Sequence, residues 1–294
     1  MKRKDEIVMR NFQLEEKIIE VVERALVEDI GSGDVTTMAV IGDERIEAEA
    51  EFVSKDEGII AGIDVVWFVF RTLDSSLSFI PFFSDGDEVK KGDIIGVVKG
   101  DVRSILTAER TALNFLQRMS GIATLTRKFV KAVEGTKAKI TDTRKTAPGL
   151  RLIDKLAVEI GGGVNHRFGL YDMILIKDNH IAVAGGVENA IERCLRFIKE
   201  KDLDLKIEVE AQSIEEVEKI LKVGGVDRIL LDNFSIEEMR KAVDLIAGRF
   251  EVEASGGITL ENVRDVAETG VDYISIGMLT HSVKALDISL EIKV

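Results

Sequence analysis

The sequence predicts an α/β protein, an incomplete (open) α/β barrel preceded by an N-terminal α+β domain with an antiparallel sheet. Three observations lead there. From about residue 138 onward, short apolar strands alternate with amphipathic helices, the pattern of parallel strands joined by right-handed crossovers. Upstream, "RIEAEAEFV" alternates strictly, with Ile46, Ala48, Ala50 and Phe52 on one side and Glu47, Glu49 and Glu51 on the other. A half-solvated antiparallel strand alternates in this way. The chain, at 294 residues, is long enough for one large barrel or two domains.

Taken in order, "FQLEEKIIEVVERALVEDI" sets Phe12, Ile18, Ile19, Val22, Ala25 and Leu26 at helical spacing, and "GSGD" ends that helix. After the alternating strand, "SDGDEVKKGDIIGVVKGD" places turn pairs Asp85-Gly86 and Gly92-Asp93 around short apolar runs, as in hairpins. From Thr107 the pattern is helical. Thr107 can cap, Glu109 suits the positive helix end, and Gly121 is expected to separate two helices. The strands of the second half read "AKITD", "MILIK", "LKIEVE", "RILLD", "FEVEAS" and "YISIG". Between the later strands, "SIEEVEKILKV", "SIEEMRKAVDLIAG" and "TLENVRDVAETG" each carry a cap, a 3.6-period apolar face and a closing glycine or equivalent. Six or seven such units suit a barrel better than an open sheet, and no repeat supports a solenoid. The expected division is an α+β domain over 1–112, a barrel over 113–278, and a C-terminal stretch, 279–294, packing back on the first domain.

The net charge of −13 argues against nonspecific nucleic-acid binding, though it leaves room for a local basic pocket. No apolar run is long enough for a transmembrane helix, and "MKRKDEIVMRNF" leads into a charged amphipathic segment rather than an apolar signal region. A single cysteine, Cys194, excludes an internal disulfide framework and suits a reducing cytoplasm; its setting reads as a buried helical thiol. Charged residues reach 32% and Gln is scarce, a hint of a thermophilic source that an ordinary mesophile melting temperature would contradict.

Barrel ligand sites lie at the carboxyl ends of the strands. Here those ends read Asp142, Lys177-Asp178, Glu210, Asp232-Asn233, Ser255-Gly256-Gly257 and Gly277, while the strand interiors are expected to be apolar. Any one of these residues could simply cap a helix; six together favour a site. Arg144, Lys145, His166, Arg167 and Lys177 make a basic group suited to carboxylate or phosphate. Glu210 and Asp232 make an acidic pair able to hold sugar hydroxyls or a Mg²⁺ ion carrying pyrophosphate. "SGG" leading into a helix at "TLENV" offers amide N–H groups as a phosphate seat. The implied substrates carry carboxylates at one end and a phosphorylated sugar at the other. "GGGVNHRFG" is not a dinucleotide fingerprint and "KTAPG" is not a P-loop. The glycines read instead as a tight turn setting His166 and Arg167 beside Arg144 and Lys177. His166, His180 and His281 are too scattered for zinc, and no nucleophile elbow is present.

"EDIGSGDVTT", "LTAERTALNFLQRMSGIAT", "DTRKTAPGLRLIDKLAVEIGGGVNHRFGLYDMILIKDNH", "LLDNF", "EASGGIT" and "THSV" together resemble the quinolinate phosphoribosyltransferase family, in order and across nearly the whole chain. The resemblance implies transfer of phosphoribosyl from phosphoribosyl pyrophosphate to quinolinate with loss of CO₂, giving nicotinate mononucleotide and pyrophosphate for NAD synthesis. It also implies Mg²⁺, a homodimer or higher oligomer with shared sites, and no nucleic-acid or membrane partner. Carried over, the pyridine dicarboxylate lies against Arg144, His166, Arg167 and Lys177, with Arg110 from the other subunit; on the residues alone, Arg110 reads as an exposed helical arginine. Lys145 sits between the two substrates as a catalytic residue. Glu210 and Asp232 meet the ribose and Mg²⁺, and Ser255, Gly256, Gly257 and Gly277 hold the 5′-phosphate. One extra residue at "VGGVD" makes the Glu210 match looser than that of Asp232. His281 is expected to be structural, and Arg118 and Arg151 surface or supporting charges. The alternatives are nicotinate phosphoribosyltransferase, a molybdenum-transport-associated homologue, which tends to alter the "NHR" region, and a catalytically silent metabolite-binding protein, which would have lost a site residue.

Overall fold

A computed structural model describes residues 2–293, with side chains from residue 13 onward, so the expected apolar contact of Phe12 lies outside the described residues. The chain opens with α1 (Lys2–Ile30), whose buried stripe Ile18, Val22 and Leu26 has the i, i+4 spacing of a single helical face. It continues through α2 (Val35–Ile41), β1 (Glu47–Ser54), β2 (Gly58–Ile59), α3 (Ile63–Leu73), β3 (Ser78–Pro81), β4 (Glu88–Val89), β5 (Ile94–Asp101) and α4 (Val102–Ala132). Asp34, in the sequence break, caps α2 by accepting the Thr37 N–H at 3.0 Å. Next come β6 (Lys139–Thr141), α5 (Arg151–Ile160), β7 (Ile174–Ile176), α6 (Asp178–Ala184), α7 (Val187–Lys201), β8 (Ile207–Ala211) and α8 (Ile214–Val223). The last elements are β9 (Arg228–Asp232), α9 (Ile236–Ile246), β10 (Glu251–Ser255), α10 (Val263–Ala267), β11 (Tyr273–Ser275), α11 (Met278–His281) and β12 (Ile288–Lys293).

The chain divides into two compact units. One comprises Met1–Leu125, Ala147–Gly162 and Ser282–Val294; the other comprises Thr126–Thr146 and Gly163–His281. The helix α5 joins the first unit, and the first cut, at 125/126 rather than the 112/113 expected from sequence, falls inside the unbroken α4. Gly121 does not interrupt it. A Cβ there would stand 2.3 Å from the Lys284 carbonyl oxygen, so this glycine serves a close approach of two backbones rather than a helix end.

In the first unit the sheet runs β12-β1-β5-β3 and is antiparallel. Ala48, Ala50 and Phe52 of β1 are buried while Glu47 and Glu49 are exposed, as the alternation predicts. Glu49 pairs with Lys99 and Glu51 with Lys293 across the exposed face. The expected hairpins are corrected. β4 bonds to β2 and β5 to β1 and β3, so the turns at Gly86 and Gly92 connect strands that do not pair with each other. Asp85 is drawn instead to the start of α3, where its Oδ1 accepts the Gly62 and Ile63 N–H groups at 2.8 and 3.0 Å.

In the second unit six parallel strands lie in the order β6-β11-β10-β9-β8-β7. Each step from β7 to β11 moves one place in the same direction, and the first strand lies beyond the last. That is the cyclic order of a barrel opened between β6 and β7, and among the described residues those two strands are not bonded to each other. Val164 adds a single parallel bridge at Thr141 on the open edge of β6. Ile140, Ile176, Ile207, Val209, Ile229, Leu231, Val252, Ala254 and Ile274 occupy one face of the sheet and are buried. Burying each large aliphatic side chain contributes about 1.5–3 kcal/mol. The opposite face, displaced by one residue on every strand, is the chemically active one.

Candidate active site

A cavity of about 510 Å³ opens at the carboxyl ends of the six strands. It brings together Arg144, Lys145, His166, Arg167, Lys177, Glu210, Asp232 and Ser255, eight of the residues singled out from sequence. Strand alternation explains the convergence. Leu175 and Lys177, Leu230 and Asp232, and Glu253 and Ser255 are i, i+2 pairs that point to the same face.

The basic side of the cavity is built on loops. Arg144 and Lys145 follow β6; the Lys145 N–H donates to Thr143 Oγ1 at 3.0 Å, and its carbonyl accepts the Thr280 hydroxyl at 2.8 Å. Arg167 is oriented by an N–H donation to the Met173 carbonyl at 3.1 Å. Burial, and then the neighbouring Arg144 charge, lower the Arg167 pKa. The Arg144 Nε is buried with no hydrogen-bond partner among the described residues. Two guanidinium groups thus share one cavity wall without a carboxylate ion partner among the described residues, an arrangement that an anionic ligand would complete. The glycine run ahead of them is a turn. Gly162 takes φ +94° and donates to the Glu159 carbonyl at 2.9 Å, closing α5.

Beneath this wall lies a group that the sequence reading missed. His166 Nε2 stands 3.0 Å from Glu208 Oε2 and 3.4 Å from Glu253 Oε1, and both carboxylates are fully buried. Arg228 donates to Glu253 Oε2 at 2.7 Å, bonds Glu251, and lies 3.8 Å over the Tyr273 ring. The expectation of apolar strand interiors is therefore corrected: Glu208 and Glu253 occupy interior positions on the cavity face of β8 and β10, and Arg228 opens β9 on the same face. The signal was available in "IEVEA" and "EVEAS", where acids alternate with apolar residues although strands of a parallel sheet ordinarily read as continuous apolar runs.

His166 Nδ1 accepts the Arg167 N–H at 2.7 Å, so the ring carries its own proton on Nε2, facing the carboxylates. The backbone N–H of His166 donates to buried Asp142 at 2.8 Å. Burial would depress the His166 pKa, but Glu208 and Glu253 outweigh it and raise it to about 9. Glu208 is itself pushed up to about 7 by burial and by the Glu253 charge. Against the same burial, His166 and Arg228 hold Glu253 below its ordinary range. The group thus holds a proton more tightly than isolated side chains would, and the amide on Nδ1 leaves that proton to the Nε2–Glu208 side.

On the acidic side, buried Glu210 accepts from Lys177 Nζ at 3.2 Å, while Asp232 lies at the end of the next strand. Asn233 adopts φ +59° and donates to Asp232 Oδ2 at 2.9 Å. Gly256, at φ +91°, lies so close that a Cβ would stand 2.2 Å from Asn233 Oδ1. Gly257 takes φ +62° and its carbonyl accepts from Asn262 Nδ2 at 2.9 Å. One expectation fails here. The helix after "SGG" begins only at Val263 and is five residues long, so the phosphate seat read from sequence consists of loop amides without a helix end. Gly277 lies under Lys145: a Cβ would stand 3.0 Å from Lys145 Cδ and 3.2 Å from His281 Cδ2.

Arg110 is exposed on α4 and does not line this cavity. Arg118, expected as a supporting charge, makes a bidentate pair with buried Asp154 at 2.8 and 2.9 Å. Cys194 is half-buried on α7, and burial pushes its thiol pKa up. No helix among the described residues is long and apolar enough to cross a membrane.

The family model for the C-terminal domain of quinolinate phosphoribosyl transferase matches residues 122–291, and that for its N-terminal domain matches residues 34–120. A chloroplastic nicotinate-nucleotide pyrophosphorylase [carboxylating] of Oryza sativa subsp. japonica is 49% identical over 92% of this chain and 76% of its own length. A probable nicotinate-nucleotide pyrophosphorylase [carboxylating] of Bacillus subtilis is 44% identical over 90% of each chain. Among solved structures, the nicotinate-nucleotide pyrophosphorylase of Francisella tularensis superposes with a TM-score of 0.88 at 40% identity, covering 95% of this chain and 96% of the other. Human nicotinic acid phosphoribosyltransferase, at 14% identity and a TM-score of 0.60 over 88% of this chain and 72% of its own, shares the fold alone.

Proposed function

The chain belongs to the quinolinate phosphoribosyltransferase family, and from that membership we propose how its cavity performs the reaction. The enzyme is a decarboxylating pentosyltransferase of NAD biosynthesis. It joins quinolinate to phosphoribosyl pyrophosphate and releases nicotinate mononucleotide, pyrophosphate and CO₂.

The observation that carries the residue assignments is the pair Arg144 and Arg167 on one wall, with the Arg144 Nε buried and unpartnered. Quinolinate supplies two carboxylates to this wall, which Lys177 extends, while His166, with Nδ1 on the Arg167 amide and Nε2 on Glu208 and Glu253, backs it. Lys145, lying over Gly277, reaches between the acid and the sugar phosphate. Loop amides at Ser255, Gly256, Gly257 and Gly277 hold the 5′-phosphate, and Glu210 with Asp232 meets the ribose hydroxyls. Glu210 and Asp232 also offer hard carboxylate oxygens of the kind Mg²⁺ takes, and would hold it there with phosphoribosyl pyrophosphate. When bound, the ion supplies positive charge against the pyrophosphate.

With both substrates oriented, the pyridine nitrogen attacks the anomeric carbon as the C–O bond to pyrophosphate breaks. The two carboxylates favour the positive charge that develops on the ribose ring. The new N–C bond makes the pyridine ring cationic, so the carboxylate beside the nitrogen leaves as CO₂. Its electron pair stays on the ring carbon, stabilised by the adjacent cation until a proton replaces it.

Arg110 completes the dicarboxylate site of a neighbouring subunit in a homodimer. The cytoplasm is the compartment that suits a chain with one cysteine. Comparing quinolinate with nicotinate at equal concentration tests the assignment. Two guanidiniums and Lys177 favour the dicarboxylate, so turnover that is equal or better with nicotinate would refute it.

A further inference from the structure

Glu253 forms part of the floor of the reaction cavity and Glu208 lies beneath it, and an acidic substrate is repelled by both. They therefore contribute nothing favourable to quinolinate by direct contact. Yet both stand on the cavity face of one parallel sheet, on β8 and β10 with β9 between them, both are fully buried, and both converge on one imidazole nitrogen, at 3.0 and 3.4 Å. Glu253 is itself anchored, because Arg228 holds its other oxygen at 2.7 Å and rests on Tyr273. Glu208 is the register partner of Arg228 on the neighbouring strand.

His166, by contrast, belongs to a loop between α5 and β7 with no regular structure of its own. Its other ring nitrogen accepts the Arg167 backbone N–H at 2.7 Å. The imidazole is thus a strut between a fixed sheet and the main chain that carries the Arg167 guanidinium. We propose that Glu208 and Glu253 are positioning residues for dicarboxylate recognition: they clamp His166 to the sheet, and His166 sets the main chain from which Arg167 meets the acid substrate. The inference rests on the assignment of Arg167 to the quinolinate side of the cavity.

A clamp of this kind predicts a division between the two substrates. The phosphoribosyl side, at Asp232 and the 255–257 loop, is held by bonds of its own, Asn233 to Asp232 and Asn262 to the Gly257 carbonyl. A loosened loop misplaces Arg167, and small misplacements in a preorganised site are expensive. An ion pair that merely stabilises the fold would lower the melting temperature or impair both substrates together.

The test uses the full-length enzyme and steady-state kinetics, with each substrate varied at saturation of the other, together with thermal unfolding. Glu208→Ala is expected to raise KM for quinolinate about tenfold or more, with KM for phosphoribosyl pyrophosphate within about twofold. Glu208→Gln keeps an oxygen for the Nε2–H and is expected to restore most of that loss. Should the alanine variant not fold, Glu208→Asp, which shortens the clamp by one methylene, is expected to show the same division more weakly. A folded Glu208→Ala or Glu208→Asp enzyme with unchanged quinolinate KM, or with both KM values raised alike, overturns the clamp. Wild-type enzyme that prefers nicotinate instead overturns the assignment on which it rests, so the two failures are distinct.

Discussion

A Cβ on Gly277 would stand 3.0 Å from Cδ of Lys145, so the lysine stem lies directly against the backbone at the end of β11. That closeness fixes where the ammonium group can reach. It also gives Gly277 a second purpose beside the phosphate contact expected from sequence: any side chain there would push Lys145 aside.

Gly277→Ala is accordingly expected to reduce turnover by about tenfold or more while shifting stability by no more than about 1 kcal/mol. Its backbone needs no positive φ, and the displaced atoms belong to flexible side chains. Kinetics and thermal unfolding on the same preparation check this.

Lys145→Ala removes the group between the two substrates without touching the bonds its backbone makes to Thr143 and Thr280. Turnover should fall by about a hundredfold or more in a protein whose melting temperature is unchanged. Near-normal turnover would remove Lys145 from the mechanism.

Gly256 is a different case. Its φ of +91° and the 2.2 Å approach of Asn233 Oδ1 leave no room for a methyl group, and here the neighbouring contacts include backbone. Gly256→Ala should destabilise the protein by about 2 kcal/mol or more, visible in denaturant unfolding, and impair both substrate affinity and yield.

The His166 group predicts a pH dependence of stability. The His166–Glu208–Glu253 group holds its shared proton up to about pH 9 in the folded protein, against the ordinary 6.5 of an unfolded imidazole, so the folded state binds the proton more tightly. The resulting stabilisation is fully present below about pH 6.5 and is lost as pH rises through about 9, an effect of up to about 3 kcal/mol. Unfolding measured between pH 6 and 9.5 should show this decline in wild type and a shallower one in Glu208→Gln, where one of the two carboxylates is gone. Equal slopes would show that the proton is held elsewhere.

Much of this was legible in the residue pattern. β9 coincides with "RILLD", because an apolar run flanked by turn residues has one sensible strand reading, and the strand ends delivered Lys177, Asp178, Glu210, Asp232 and Ser255 of the cavity. What escaped was the layer beneath. Glu208 and Glu253 each precede a rim residue by two positions, so they share its face, but reading strands as uniformly apolar hides a charged interior. Gly121 misled for a related reason. A glycine inside a helical pattern signals either a break or a close approach, and only the contact with Lys284 distinguishes them. The place of Arg110 was likewise illegible on its residues alone, since an exposed helical arginine looks the same whether or not a second subunit needs it.

The most direct measurement supplies the purified enzyme with Mg²⁺, phosphoribosyl pyrophosphate and quinolinate labelled in the carboxylate beside the ring nitrogen. Release of labelled CO₂ in equal amount with pyrophosphate and nicotinate mononucleotide, and none without phosphoribosyl pyrophosphate, is the predicted result. A protein that binds quinolinate yet releases neither CO₂ nor pyrophosphate would contradict it.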